Sequence, residues 1–246
     1  MIINYAHRGA SGYYPENTML AFEKAVEMGA TGIETDIQMT KDSVLVLIHD
    51  EKVDRTTEGT GFVEDYTYSH LCKLDAGGSF SPLYKGLKVP TLEELMEFSK
   101  DKNLILNLEI KNNEIQYSNI EEKVLEMIES YGMESKVIVS SFNHYSLVKL
   151  KKLSKKIKIG LLYMAGLYHP ERYAKSLKAE ALHPYFPAVN NPKIIKDIKK
   201  SKILINPYTI NDEATMKLFV DYGVDGIITN FPDKLKDILD NKGGAN

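Results

Sequence analysis

Short apolar runs of strand length recur along almost the whole chain, and each is followed by a segment of helical periodicity. Strands are predicted near residues 2–6, 31–38, 104–110, 136–141, 157–163, 179–183, 203–206 and 225–229. Helices are predicted near 18–28, 91–100, 118–131, 144–154, 170–177, 191–200, 212–222 and 232–240. The third helix shows the pattern best: Ile120, Val124, Met127, Ile128 and Tyr131 form one stripe, and Gly132 ends it. Strand then helix, repeated eight times with short connections, is the signature of an α/β protein whose parallel sheet is covered by helices and can close into a (β/α)8, TIM-type barrel. An open doubly wound sheet is the rival. It usually brings a glycine-rich phosphate fingerprint after its first strand, and neither G-x-G-x-x-G nor G-x-x-x-x-G-K-[ST] occurs here.

One segment breaks the period. Val44 to Asp50, "VLVLIHD", looks like a strand but has no helix of its own before Thr91. It is expected to be the return arm of a hairpin turning at Thr40-Lys41-Asp42-Ser43, so that residues 39–90 form one insertion, a hairpin plus an irregular cap, between strand 2 and helix 2. Without it, each strand-helix unit has about 24 residues, enough for a compact barrel, so residues 1–246 are expected to be one domain. An insertion at the C-terminal end of a barrel strand is a candidate lid or substrate wall.

Composition narrows the function. The net charge is −3 with both signs interspersed, which gives no electrostatic footprint for nucleic acid or an anionic membrane. The lone Cys72 cannot form an internal disulfide or a C-x-x-C site. No apolar run approaches signal-peptide or membrane-span length, so a cytoplasmic protein without stable membrane insertion is expected, either monomer or homodimer.

In strand two, "GIETDIQ", alternation puts Glu34 and Asp36 on one face and Ile33 and Ile37 on the other. In strand three, "LILNLEIK", Asn107, Glu109 and Lys111 share a face. The apolar faces must pack under the helices, so the carboxylates point into the barrel mouth, where such barrels keep their chemistry. Converging carboxylates repel one another unless something positive lies between them. Salt bridges to Lys and Arg across the barrel are one answer. A divalent cation is the more economical one, and all-oxygen ligands favour Mg2+ or Ca2+ over zinc. His7 and Arg8 end strand one, and the hairpin brings His49 and Asp50 beside strand two. Two histidines at a metal site suggest one general base and one general acid. Arg8 and Lys111 suit an anionic substrate such as a phosphate. His183 closes strand six in "ALHPY" and is expected to line the mouth as a substrate contact. His70, His144 and His169 are expected on the solvated surface, and Glu16 with Asn17 or Thr18 is expected to cap helix one.

"AHRGASGYYPENTMLAF", "GIETDIQMTKDSVLVLIHD", "DRTTEGTG" and "LEIK", in this order and spacing, resemble the glycerophosphodiester phosphodiesterase family. "VSSFN", "INPYTIN" and "GIITNFPD" continue the likeness. The resemblance implies a barrel enzyme that hydrolyses glycerophosphodiesters to sn-glycerol 3-phosphate and an alcohol. It implies that Glu34, Asp36 and Glu109 hold a divalent metal, that His7 and His49 act as acid and base, and that Arg8 and Lys111 contact the phosphate. The family commonly has a tryptophan where this chain has Tyr208, and Phe142 is a second candidate for the same aromatic wall. Three other readings compete. A metal-dependent amidohydrolase wants H-x-H on strand one, where this chain has His-Arg; lipid-acting phospholipase D or sphingomyelinase D relatives are secreted and disulfide-bonded; a binding protein would have lost one of these positions.

Overall fold

The computed structural model describes residues 2–243. Eight parallel strands form the barrel wall: β1 (Ile3–His7), β2 (Gly32–Met39), β4 (Ile105–Ile110), β5 (Val137–Ser141), β6 (Lys158–Tyr163), β7 (Ala181–Pro184), β8 (Leu204–Ile205) and β9 (Gly226–Thr229). The antiparallel β3 (Leu45–Leu47) pairs with β2 outside that ring. The hydrogen-bonded order runs β8-β7-β6-β5-β4-β2-β1-β9, so the two ends of the path are β8 and β9. Among the described residues no regular ladder joins them. Asp225 N–H donating to Ile205 O at 3.0 Å and Ile228 N–H donating to Pro207 O at 3.0 Å draw the edges together into a nearly closed barrel.

Around this wall lie α1 (Met19–Glu27), α3 (Leu92–Ser99), α4 (Ile120–Ser130), α5 (His144–Leu153), α6 (Pro170–Ser176), α7 (Pro192–Lys200), α8 (Glu213–Tyr222) and α9 (Pro232–Gly243), with the short α2 (Tyr68–Leu71) in the insertion. Their starts are set by local chemistry. Thr18 Oγ1 accepts from Ala21 N–H at the head of α1 and Asp212 accepts from Thr215 N–H at the head of α8, while Thr91 and Glu94 form a reciprocal capping box on α3. Gly223, at φ 75°, closes α8 in the left-handed conformation that favours glycine. The helices bury one apolar face each against the outward side chains of the strands, Ile33 and Ile37 of β2, Leu106, Leu108 and Ile110 of β4, and Val137 and Val139 of β5 among them. That frees the inward positions for polar groups.

The eight predicted strand-helix units are all present. The hairpin turns where expected, with Thr40 N–H donating to Val44 O at 3.0 Å and Ile37 opposite Leu47. The predicted arm over 44–50 is regular only to Leu47. Ile48 N–H still donates to Asp36 O at 3.1 Å, and then His49 and Asp50 leave the sheet. The insertion is less irregular than its composition suggests, because Val46, Ile48, Val53, Val63, Leu71, Ala76 and Val89 give it an apolar core of its own. Among the described residues, no helix is long and apolar enough to cross a membrane.

Candidate active site

At the C-terminal ends of the strands lies a cavity of about 200 Å³. His7, Arg8, Glu34, His49, Asn107, Glu109 and Lys111 give it a polar lining, and Phe142, Leu162, Met164, Tyr208, Thr209 and Ile228 complete it with a mostly apolar one.

The register of β2 against β4 sets Asp36 opposite Glu109, one pleat above Glu34. Glu34, Asp36 and Glu109 are all buried, and one oxygen from each lies within 4.8 Å of the others. Burial and the two neighbouring acids hold the Glu34 carboxyl well above the usual range. Burial also pushes Glu109 up to about 7, against the pull of Lys111. Burial works in the same direction on Asp36, but Arg8, His49 and Lys111 outweigh it and keep that carboxyl below its ordinary value. Three converging, water-poor carboxylates of unequal proton affinity are the donor set that a hard divalent cation takes, so the residues present fit a metal.

Each histidine presents one nitrogen to the cavity because the other is engaged. His7 Nδ1 lies 2.7 Å from Asn230 Oδ1, an atom that only accepts, so Nδ1 carries the hydrogen and Nε2 keeps its lone pair. Nε2 stands 3.9 Å from Glu34 Oε2. Burial, followed by the Arg8 charge, lowers the His7 imidazole to about 4. His49 Nδ1 donates to Asp50 Oδ1 at 2.6 Å, and its Nε2 accepts from the Lys111 ammonium at 3.2 Å. Lys111 also pairs with Glu109 at 3.1 Å.

Arg8 sits at φ 56°, and its backbone N–H donates to Glu34 O at 2.8 Å and Glu34 Oε2 at 3.2 Å. Its guanidinium donates to Glu16 Oε1 at 2.9 Å, while Nε lies 3.3 Å from Asp36 without a hydrogen-bond partner. The turn continues through Gly9, φ 82°, where any Cβ would stand 2.7 Å from the backbone of Ala21. That contact is why "HRG" can lie against α1.

Several positions differ from their sequence reading. Of the two cap candidates, Thr18 caps α1, while Asn17 turns inward at φ 53°, donates to Asp36 Oδ2 at 3.0 Å and accepts from Thr35 Oγ1 at 2.7 Å. Glu16 is not a cap; it binds Arg8 and Arg55. His144 is half-buried and spans Leu162 O and Tyr173 Oη at 2.9 and 3.0 Å, pinning α5 to the next unit instead of facing solvent. His183 is not at the mouth. It is wholly buried inside the barrel beside Gly160, where Asn206 Nδ2 donates to its Nε2 at 3.1 Å and burial lowers it to about 3. Phe142 and Tyr208 do form an aromatic wall, edge to face at 6.1 Å. Nothing in the sequence gives Asn230 or Arg55 a role, although "TNFPD" and "DRTT" hold them; only the folded chain shows which side chains they meet.

Comparison with known proteins gives the family and the fold. The model of the glycerophosphoryl diester phosphodiesterase family matches residues 7–234. A glycerophosphodiester phosphodiesterase of Caldanaerobacter subterraneus subsp. tengcongensis is 46% identical over 239 residues, covering 97% of this chain and 98% of that protein. One of Bacillus altitudinis is 43% identical, covering 94% and 95% of the two chains. The structure of an Oleispira antarctica phosphodiesterase in complex with the product sn-glycerol-3-phosphate superposes with a TM-score of 0.90 at 29% identity, covering 96% of each chain. With its motifs placed on one barrel mouth and the family model spanning both ends of that barrel, the chain belongs to the glycerophosphoryl diester phosphodiesterase family.

Proposed function

We propose that this enzyme hydrolyses glycerophosphodiesters to sn-glycerol 3-phosphate and an alcohol, with one divalent cation, Mg2+ or Ca2+, held by Glu34, Asp36 and Glu109. The observation that carries the reading is the meeting of these three buried carboxylates with two histidines and two fixed cations around one small cavity. When bound, the cation supplies Lewis-acid polarisation of the phosphoryl oxygens. Arg8 and Lys111 hold the diester's negative charge against that site. His7 and His49 carry the two protons, one off the attacking oxygen and one onto the departing alkoxide, each through Nε2: that of His7 keeps its lone pair, and that of His49 exchanges its contact with Lys111 for the substrate. Asn230 and Asp50 keep the two rings turned the right way. The wall of Phe142, Leu162 and Tyr208 excludes water from the other side of the cavity. In this reading residues 1–246 act as one barrel domain whose insertion, 39–90, delivers His49.

The test is release of glycerol 3-phosphate from glycerophosphocholine and glycerophosphoethanolamine by the purified protein, first chelated and then resupplied with Mg2+ or Ca2+. Release only with metal is expected, and His7→Ala is expected to lower kcat by roughly 10²- to 10⁴-fold. No release from folded protein under either metal would sink the reading and favour a binding role.

A further inference from the structure

We propose that Arg55 is a positioning residue for both halves of the active site, one guanidinium that fixes His49 and Arg8 together. The inference rests on the function proposed above. Arg55 Nε and Nη2 donate to the two oxygens of Asp50 at 2.6 and 3.0 Å, and Nη1 and Nη2 donate to the two oxygens of Glu16 at 2.9 and 2.8 Å. Each carboxylate then holds a residue that lines the cavity. Asp50 Oδ1 accepts from His49 Nδ1 at 2.6 Å, and Glu16 Oε1 accepts from Arg8 Nη1 at 2.9 Å. Arg55 itself does not line the cavity, so it acts through these two acids.

The connection joins parts of the chain that have no reason of their own to keep register, since Arg55 and Asp50 belong to the insertion and Glu16 to the loop before α1. The turn that presents Arg55 is built without it. Val53 is buried and its N–H donates to Gly61 O at 3.0 Å, while Thr57 Oγ1 donates to Val53 O at 2.8 Å. The Arg55 side chain is 47% exposed and fills no core. Only a planar fork can take two carboxylates edge-on; the lysine ammonium is a point charge that holds one at a time. Arg55 also borders a second cavity of about 210 Å³, shared with Ser11, Ser79 and Phe80, which gives a small cation access to the gap that truncation would leave.

The experiment uses the metal-loaded full chain and compares Arg55→Ala and Arg55→Lys with Asp54→Ala, a neighbour whose carboxylate only accepts from Gly61 N–H in the same turn. Arg55→Ala is expected to lose roughly 10- to 100-fold in kcat/KM, Arg55→Lys to recover only part of it, and free guanidinium to restore roughly tenfold to Arg55→Ala while methylammonium does not. Asp54→Ala is expected to stay within about twofold of the parent. In parallel, the downfield proton resonance of the His49 Nδ1–H, identified by its loss in His49→Ala, is expected in the parent and in Asp54→Ala and absent from Arg55→Ala. Parental activity in Arg55→Ala, equal losses in Arg55→Ala and Asp54→Ala, or an unchanged His49 resonance in Arg55→Ala would overturn the proposal. If the parent hydrolyses no glycerophosphodiester, the functional reading fails, and the resonance still decides whether Arg55 orients His49.

Discussion

Glu109 holds its proton up to about 7, whereas Asp36 beside it is kept ionised by Arg8, His49 and Lys111. In the proposed metal site a cation binds the ionised carboxylates, so loading the metal-free protein displaces whatever protons they carry. The sign follows from the direction of the shift: below about pH 7 Glu109 is protonated and metal binding releases that proton, so affinity climbs as pH rises toward 7 and the Glu109 contribution is gone above it. Calorimetric titration with Mg2+ in two buffers of different ionisation enthalpy is expected to show about one more proton released near pH 6 than near pH 8. Equal release at both would mean that the cation displaces no proton from the Glu34–Glu109 pair over this range. The carboxylates were legible in the sequence because a period of two on two adjacent strands leaves them no other face. Asn230 was not, since its partner His7 is 223 positions away and no local pattern records such a contact.

At the scale of the strand, periodicity gives the face of a residue but not its depth along the barrel axis, which the tilt and stagger of the strands determine. His183 illustrates the difference: its inward direction is read correctly from "ALHPY", but it sits below the mouth, in the space left by Gly160 on the neighbouring β6. A Cβ at Gly160 would stand 2.7 Å from the His183 ring. Gly160→Ala is therefore expected to destabilise the protein by about 1–3 kcal/mol, read as a lower urea midpoint at unchanged m. An unchanged midpoint would show that the ring has room to move aside. The strand and helix order was legible throughout, because alternating apolar runs and amphipathic stripes are local. The short β8, two residues long, marks where local signal thins and the neighbours decide how far a ladder extends.

For the whole molecule, the seam between β8 and β9 is the place where a barrel of this topology is held by few bonds. Asp225 substitutes for part of the missing ladder: its Oδ2 accepts from Ile205 N–H at 3.0 Å and its Oδ1 from Lys199 Nζ at 3.0 Å. Asp225→Ala leaves a buried-edge amide unpaired and is expected to cost about 1–3 kcal/mol, with faster exchange at the Ile205 amide and kcat within about twofold of the parent. Unaltered protection of Ile205 would show that the seam closes without this carboxylate. The cavity lining has its own division: every charged group in it comes from residues 7–111, and its mostly apolar remainder comes from residues 142–228. Substitutions confined to the second half of such a chain can thus change that part of the lining without touching its charged groups. Asn230, which reaches back to His7, is one place where the two halves must match, together with the β4–β5 and β1–β9 ladders. Descendants of one ancestor can in this way differ in that part of the cavity while keeping the same charged groups.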